Sequence, residues 1–527
     1  MSEQKNSSKN QGFCVNKKMF LLIFAITFSV FLFTSDGHRF TMDEDQTQMY
    51  TKRLVTLEPH PLFVQGESRM LFEYPDWYTN PSGPICKNPI LCSPSYIGHA
   101  ILYYPFVYLN YQINAVSNTE INYSHEDFND PAYIIWRNSL DNDFLLLETL
   151  FGPIFSSLSV SIFFLVCRTF GYSEKISLIL SFVFGFGTVI WAYSNTSLNT
   201  VPALFFILLG YFYFRLFEKT QSVQKLALSS ISLGFGFLVR PDAILVIIPL
   251  FVMLMYNLKN QKKKFLKIIA VLVPYVIAFG TTKIIEYLNF GEQGSSDITS
   301  GIISSAEIIQ TPLHVGIFGN LLSPGLGIMV FVPVLFTIFF SYPDFWNKYK
   351  KETILFSSII ITFLVFYGRL DAWHGLVSWS ARYMVLLIPF LLLPLGYSIQ
   401  KRNNKKLVGM ILILSGIGAF FNVIYVIQDV GWFVWCTPGC AHGLYTLVDS
   451  KLEYNIAQSV IWTFKNSQLI WAIDSAFTNL QIDLIFHKML GGIAYTIIVA
   501  STILVLSITI AKILKKSTVN EIQKENF

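Results

Sequence analysis

The chain has 527 residues, of which 53% are hydrophobic and only 13% charged. Soluble domains carry about 25% charged residues, so a soluble enzyme is excluded and a polytopic membrane protein is indicated. The net charge of +5 does not point to nucleic acid, because Lys and Arg fall in short clusters beside apolar runs, as in chains oriented by the positive-inside rule.

Residues 1–18 read as a cytoplasmic tail that ends in Lys17 and Lys18. The first span follows at 19–34 and reads as an uncleaved signal anchor, since Thr34-Ser35-Asp36 is not a small-x-small cleavage site. Residues 35–142 form a first extracytoplasmic loop. It opens on an acidic motif, Asp43-Glu44-Asp45, and contains an apolar, Tyr-rich stretch from Ser95 to Leu109. Tyr is favoured at the interface, so this stretch is predicted as a helix lying in the membrane surface, with Pro131 to Trp136 as a second candidate. A membrane bundle is predicted over 143–427, a further extracytoplasmic loop over 428–488, a last span over 489–512 and a cytoplasmic tail over 513–527.

Crossing a bilayer takes about 20 mostly apolar residues. Twelve stretches qualify, starting near Met19, Phe144, Ile176, Val201, Val223, Ala243, Phe265, Asn320, Thr353, Tyr383, Leu407 and Met489. With a cytoplasmic N-terminus, the basic links all fall inside: Arg168/Lys175, Arg215/Lys219/Lys225, Lys259 to Lys267, Lys348 to Lys351, Lys401 to Lys406, and Lys515/Lys516. Both termini are then cytoplasmic. The spans starting at Val223 and Ala243 form a tight hairpin whose reversal is Arg240-Pro241-Asp242, with Pro241 suited to open the second helix.

Cys86 and Cys92 fall in the first external loop and Cys436 and Cys440 in the last. External disulfides are expected, Cys86 with Cys92 and Cys436 with Cys440 being the local pairing among three. No Gly-rich phosphate loop follows a strand pattern, so no nucleotide site is expected.

The acidic motif sits where the first span meets water. Three adjacent carboxylates repel one another, which suits one of them to act as general base on a weakly acidic hydroxyl. The plainer alternative is an acidic helix start with Asp43 or Asp45 as N-cap. Cations recur at other external span ends: Arg240, Lys283, Arg369 and Arg382. The loop from Gly368 to Tyr383 holds Arg369, Trp373, His374, Trp379 and Arg382. Forked Arg donors suit phosphate and aromatic faces suit sugar rings, although Trp at a span end is also an ordinary interfacial anchor. For Arg240, snorkelling to lipid headgroups and a phosphate contact stand level.

With these residues in view, the chain resembles the C-type fold (GT-C) membrane glycosyltransferases. That superfamily includes the protein O-mannosyltransferases (glycosyltransferase family 39) and the aminoarabinose transferases. The matching pieces are Asp43-Glu44 after the first span, Leu238-Val239-Arg240-Pro241 at the hairpin, and Ser323-Pro324-Gly325-Leu326-Gly327. Trp373-His374-Gly375, Ser378-Trp379 and Ala381-Arg382-Tyr383 complete them, and together they cover the chain from the first span to about Ser398. The resemblance implies an all-α polytopic fold of about twelve transmembrane helices, with interfacial helices in its extracytoplasmic loops. It implies transfer of a sugar from a polyprenyl-phosphate (dolichyl-phosphate in some relatives) donor to an extracytoplasmic protein, lipid or glycan acceptor, with inversion. Carried over, Asp43 is the base with Glu44 as its alternate or partner. Arg240, Arg382 and His374 bind the donor phosphate, and Trp373 and Arg369 contact substrate. No metal site is assigned. Some relatives bind a divalent ion near the acids, for which Asp43, Asp45 and His38 are the available ligands. The chain departs from the pattern at Ser194 to Thr200, where many relatives carry an acid or His. Two other classes stay open: a twelve-span secondary transporter, and a non-catalytic protein that holds a lipid-linked glycan.

Overall fold

The computed structural model describes residues 17–37, 41–57, 96–117, 147–258, 264–290, 311–370, 373–375, 378–402, 405–428, 460–478, 480, 482–502, 504–505, 508–509 and 512. Among them the fold is all-α. Seven helices are long and apolar enough to cross a membrane: Glu148–Thr169, Thr200–Thr220, Pro241–Leu258, Lys264–Leu288, Lys350–Arg369, Arg382–Arg402 and Lys405–Val426. Val223–Val239, Leu313–Leu322 and Gly492–Thr502 are shorter apolar helices. The protein is thus a multi-pass membrane protein with at least seven candidate spans.

Thr200–Thr220 lies at the centre, packed against Phe151–Thr169 on one side and Val223–Val239 on the other. Gly210 permits the second contact, because a Cβ there would sit 2.5 Å from Leu233 Cγ. Ser229 Oγ donates to the Gly210 carbonyl at 2.8 Å, a small-residue contact with a polar tie of the kind that joins helices in lipid. The hairpin is as expected. Val223–Val239 ends at Arg240 in extended conformation (φ −154°, ψ 109°), and Pro241 opens the turn that leads into Ile244–Leu258.

The same helices carry different charge clusters at their two ends. At the C-terminal end of Thr200–Thr220, Arg215 Nη1 lies 2.6 Å from both Glu218 and Glu352. At the N-terminal end, Thr200 meets the Arg240 turn. That second end holds the candidate site.

Two predicted spans are corrected. The apolar stretch starting near Asn320 is not one helix but Leu313–Leu322, a turn, Ile328–Phe331, a 3-10 turn Pro333–Thr337, and then Ile338–Lys348. Pro324 and Pro333 have no N–H to give a continuous helix. The Gly325 N–H instead donates to the carbonyl of Ile461 at 3.0 Å, docking the segment that precedes Gln468–Thr478. The stretch near Ile176 is likewise divided, into Glu174–Phe186 and Ile190–Tyr193.

The Tyr-rich stretch is a helix, Ile97–Ser117, packed on Met42–Thr56 and Val223–Val239. Its start abuts the hairpin so closely that a Cβ on Gly98 would lie 2.5 Å from the Leu238 backbone. Tyr104, Tyr108 and Tyr111 face outward. The later chain returns to the end of the helix Lys17–Phe33, where the Ile485 N–H donates to the Ser35 carbonyl at 2.9 Å. Cys167 is buried. Pro131–Trp136, Cys86, Cys92, Cys436 and Cys440 lie outside the described residues.

Candidate active site

The acidic motif opens the helix Met42–Thr56. Its N-cap is Thr41, not Asp43 or Asp45, and Thr41 forms a reciprocal capping box with Glu44. The spacing Thr-x-x-Glu is the sequence signature of that box. Asp43 and Glu44 therefore occupy the first turn, where the helix dipole favours negative charge.

The two acids have opposite surroundings. Glu44 is 1% exposed. One carboxylate oxygen accepts from the Thr41 N–H (3.1 Å) and hydroxyl (3.0 Å). The other accepts from the Ser197 N–H (2.7 Å) and hydroxyl (3.2 Å). Glu44, expected as an alternate base or partner to Asp43, is thus buried and receives four donors. Asp43 is 55% exposed at the side chain, and its Oδ2 accepts from Arg382 Nη1 at 2.7 Å across 339 residues of sequence.

Arg382 is set by the turn before it. Gly375 adopts φ +50°, and a Cβ there would lie 2.9 Å from the Tyr383 ring and 3.2 Å from Arg382 Cγ. Glycine lets the Trp-His-Gly turn approach that closely. The Arg382 guanidinium lies 5.2 Å from the Tyr383 ring centroid and the Arg240 guanidinium 5.7 Å from the same centroid. Tyr383 in turn stacks on Tyr367 with centroids 4.2 Å apart.

Arg240 reaches this ring but is a brace. Its Nε donates to both oxygens of Asp242 at 2.8 Å, and Nη1 donates to Thr200 Oγ1 at 2.5 Å and Asn199 Oδ1 at 3.4 Å. Tyr367 donates its hydroxyl to the same Asp242. Arg240 was expected to bind donor phosphate on equal terms with Arg382, but it is only 7% exposed and bound into the protein.

Two residues of the Ile97–Ser117 region complete the surroundings. His99 Nδ1 lies 3.3 Å from the Thr47 hydroxyl, which donates to the Asp43 carbonyl at 2.8 Å. Burial pushes His99 down to about 4, against the pull of the Ser197 backbone and Asp43, so the ring is neutral at ordinary pH. Burial also pushes the Tyr96 phenol up, Asp242 and Asp43 adding to the rise and Arg240 opposing it. A lone His among aromatic residues gave no reason to single out His99. Ser197 and Thr200 lie in the run that departs from the expected pattern, and there they tie down Glu44 and Arg240. A pocket of about 30 Å³ borders this run, lined by Asp36, Tyr103, Glu148, Gly152 and Ser194 to Ser197. Glu148 accepts there from the Tyr103 hydroxyl at 2.6 Å and from Asn110 at 3.1 Å.

The other expected residues divide. Trp373 was expected to contact substrate, yet it is 3% exposed and packs in a small core with Leu326 and Ile461. His374 is half-buried, its ring edge-on to Trp373 at 5.6 Å. Arg369 is exposed in the last turn of Lys350–Arg369. No group of three potential metal ligands occurs among the described residues, and His38 and the Asp45 side chain lie outside them.

Residues 148–282 match the family described as dolichyl-phosphate-mannose-protein mannosyltransferase. That stretch contains Ser197, Thr200, Arg240 and Asp242, while Asp43 and Arg382 lie outside it. Among solved structures, the crystal structure of ArnT from Cupriavidus metallidurans bound to undecaprenyl phosphate is similar at 11% identity and a TM-score of 0.47, over 88% of this chain and 74% of that one. ArnT from the same organism in the apo state gives 10% identity and 0.46, over 88% and 71%. The curated proteins give no match.

Proposed function

We propose that the protein is a membrane glycosyltransferase that moves a sugar from a polyprenyl-phosphate donor to an acceptor hydroxyl, with Asp43 as general base. The observation that carries this is the Asp43–Arg382 pair, an exposed acid and a partly exposed guanidinium in contact at the end of the helix bundle. The match of residues 148–282 to a mannosyltransferase family supports the reaction class.

In this reaction the acceptor oxygen attacks the anomeric carbon while Asp43 takes the hydroxyl proton. The bond from that carbon to the phosphate oxygen breaks, and its electron pair leaves on the polyprenyl phosphate. Arg382 balances the charge that grows there. Attack opposite the leaving phosphate inverts the anomeric centre. The Arg382–Asp43 pair is partly solvated, and exposed pairs contribute about 0–1 kcal/mol, so donor phosphate can draw the guanidinium across at little cost. Glu44, Arg240 and the aromatic rings hold these two groups in place.

The chain crosses the membrane about twelve times, with both termini cytoplasmic and the Asp43–Arg382 end outside. The positive-inside pattern of the links supports this orientation. Cys86, Cys92, Cys436 and Cys440 then meet an oxidising compartment and pair.

The test uses purified protein in lipid with a panel of labelled polyprenyl-phosphate sugars and an envelope acceptor extract. Wild type turns over one donor, and Asp43→Asn lowers turnover by about 10²–10⁴-fold, the range of a general base, with donor binding intact. Binding without turnover in either protein would identify a protein that holds lipid-linked glycan, and binding of no donor would send the question to transport.

A further inference from the structure

We infer that Glu44 is a positioning residue that clamps the Asp43 turn to the turn before the central helix. The inference rests on the proposed role of Asp43 as base. Each Glu44 carboxylate oxygen receives one backbone N–H and one hydroxyl, from Thr41 on one side and Ser197 on the other. Glu44 thus spans 153 residues of sequence and ties the first turn of Met42–Thr56 to the residues that precede Thr200–Thr220. Three residues beyond Ser197, Thr200 accepts from Arg240, so the clamp continues into the hairpin brace.

The chemistry of the four donors demands a carboxylate. Glutamine offers one acceptor oxygen and one NH2 group. The hydroxyls of Thr41 and Ser197 can rotate to accept from that NH2, but a backbone N–H cannot. Whichever way the amide is turned, either the Thr41 or the Ser197 N–H faces another donor. Aspartate is one methylene short of reaching both sides. Glu44→Gln therefore loosens one half of the clamp and lets Asp43 drift relative to Arg382. A misplacement of about 1 Å costs on the order of 100-fold in rate.

The experiment compares wild type, Glu44→Gln, Ser197→Ala and Asp43→Asn by two readouts. The first is turnover with the polyprenyl-phosphate sugar panel across pH. Glu44→Gln is expected to lower kcat by roughly 10- to 100-fold, to leave donor KM within about twofold, and to leave the acid limb of the pH–rate profile where it is in wild type. Ser197→Ala removes one hydroxyl and keeps the backbone N–H, so a loss of about two- to fivefold in kcat is expected. The second readout is amide hydrogen exchange in peptides covering residues 41–44 and 195–199, which needs no substrate. Exchange there is expected to quicken in Glu44→Gln and to stay at the wild-type rate in Asp43→Asn. Wild-type exchange in Glu44→Gln overturns the clamp. So does a shifted or abolished acid limb in Glu44→Gln, which would make Glu44 a proton acceptor. If no donor is turned over by wild type, the transferase reading fails, and the exchange result alone decides the clamp.

Discussion

Arg240 and Arg382 are both cations at the site end of the bundle, and their burial predicts opposite mutational behaviour. The Arg240 and Asp242 side chains are 8% and 10% exposed, and Asp242 also takes the Tyr367 hydroxyl. Arg240→Met removes the guanidinium from both carboxylate oxygens and from Thr200, and leaves a buried charge without its partner. Breaking a buried pair in this way costs about 3–5 kcal/mol. The double variant Arg240→Met/Asp242→Asn removes the orphaned charge and is expected to recover more than half of that loss. Arg382→Met breaks a pair whose side chains are 20% and 55% exposed, and exposed pairs contribute about 0–1 kcal/mol. Equilibrium unfolding in mixed detergent micelles, run beside donor-phosphate binding, separates the two. Arg240→Met should unfold far earlier than wild type, and Arg382→Met should unfold like wild type but bind donor poorly. An Arg240→Met protein within about 1 kcal/mol of wild-type stability that has lost donor binding would refute the assignment of Arg240 as a brace.

Two further predictions test the surroundings of the acid. His99 is held down to about 4 by burial, against an ordinary value of 6.5, so between those pH values the unfolded chain binds a proton that the folded chain refuses. Stability therefore falls as pH drops from 6.5 to 4, by at most about 3 kcal/mol, and is insensitive to His99 above that window. His99→Asn, whose amide can keep the Thr47 contact, should flatten this part of a stability–pH curve; an unchanged slope would assign it to other groups. Gly375→Ala places a Cβ 2.9 Å from the Tyr383 ring at φ +50°. It should destabilise by about 1–3 kcal/mol and lower turnover more than donor affinity, measured by unfolding and by kcat against KM.

Much of the fold is legible in the sequence where one signal suffices. The Val223–Val239 hairpin turns at Arg240-Pro241-Asp242 because proline cannot continue the first helix and is suited to start the second. The divided span after Leu313 was hidden, since its pieces are apolar throughout and a hydropathy window sums across the breaks at Pro324 and Pro333. The capping box was present in Thr41-Met42-Asp43-Glu44 and was overlooked. Reading it would have placed Glu44 at N3, facing back to Thr41, and left Asp43 facing out. The burial of Trp373 is not legible locally, because a Trp at a span end looks the same in sequence whether it anchors in the interface, stacks on a sugar or fills a core. Its burial depends on Gly319 and Ile461, which no local pattern connects to it. The Asp43–Arg382 contact joins two motifs 339 residues apart, and only their shared position at external span ends hinted that they meet.

Asp43 and Glu44, neighbours in the acidic motif, differ in a way that fits a division of labour under the proposed reaction. A base must be accessible to an acceptor hydroxyl, and an exposed side chain on the first turn of a 15-residue helix has little to fix it. Under the proposed reaction its own pair with Arg382 cannot supply the rigidity, because the proposal has that guanidinium turn to the donor phosphate. An Asp43–Arg382 pair strong enough to position the acid would hold the arginine away from the leaving group. The proposed reaction therefore asks for a fixing interaction from a neighbour held away from substrate. Glu44 meets that condition, since it is buried, adjacent in sequence and bonded to two separate turns. The Thr47 hydroxyl adds a second hold by donating to the Asp43 carbonyl while touching neutral His99. Under the proposed reaction, rigidity resides in the buried bonds to the backbone, and the partly exposed pair is left weak enough to exchange partners.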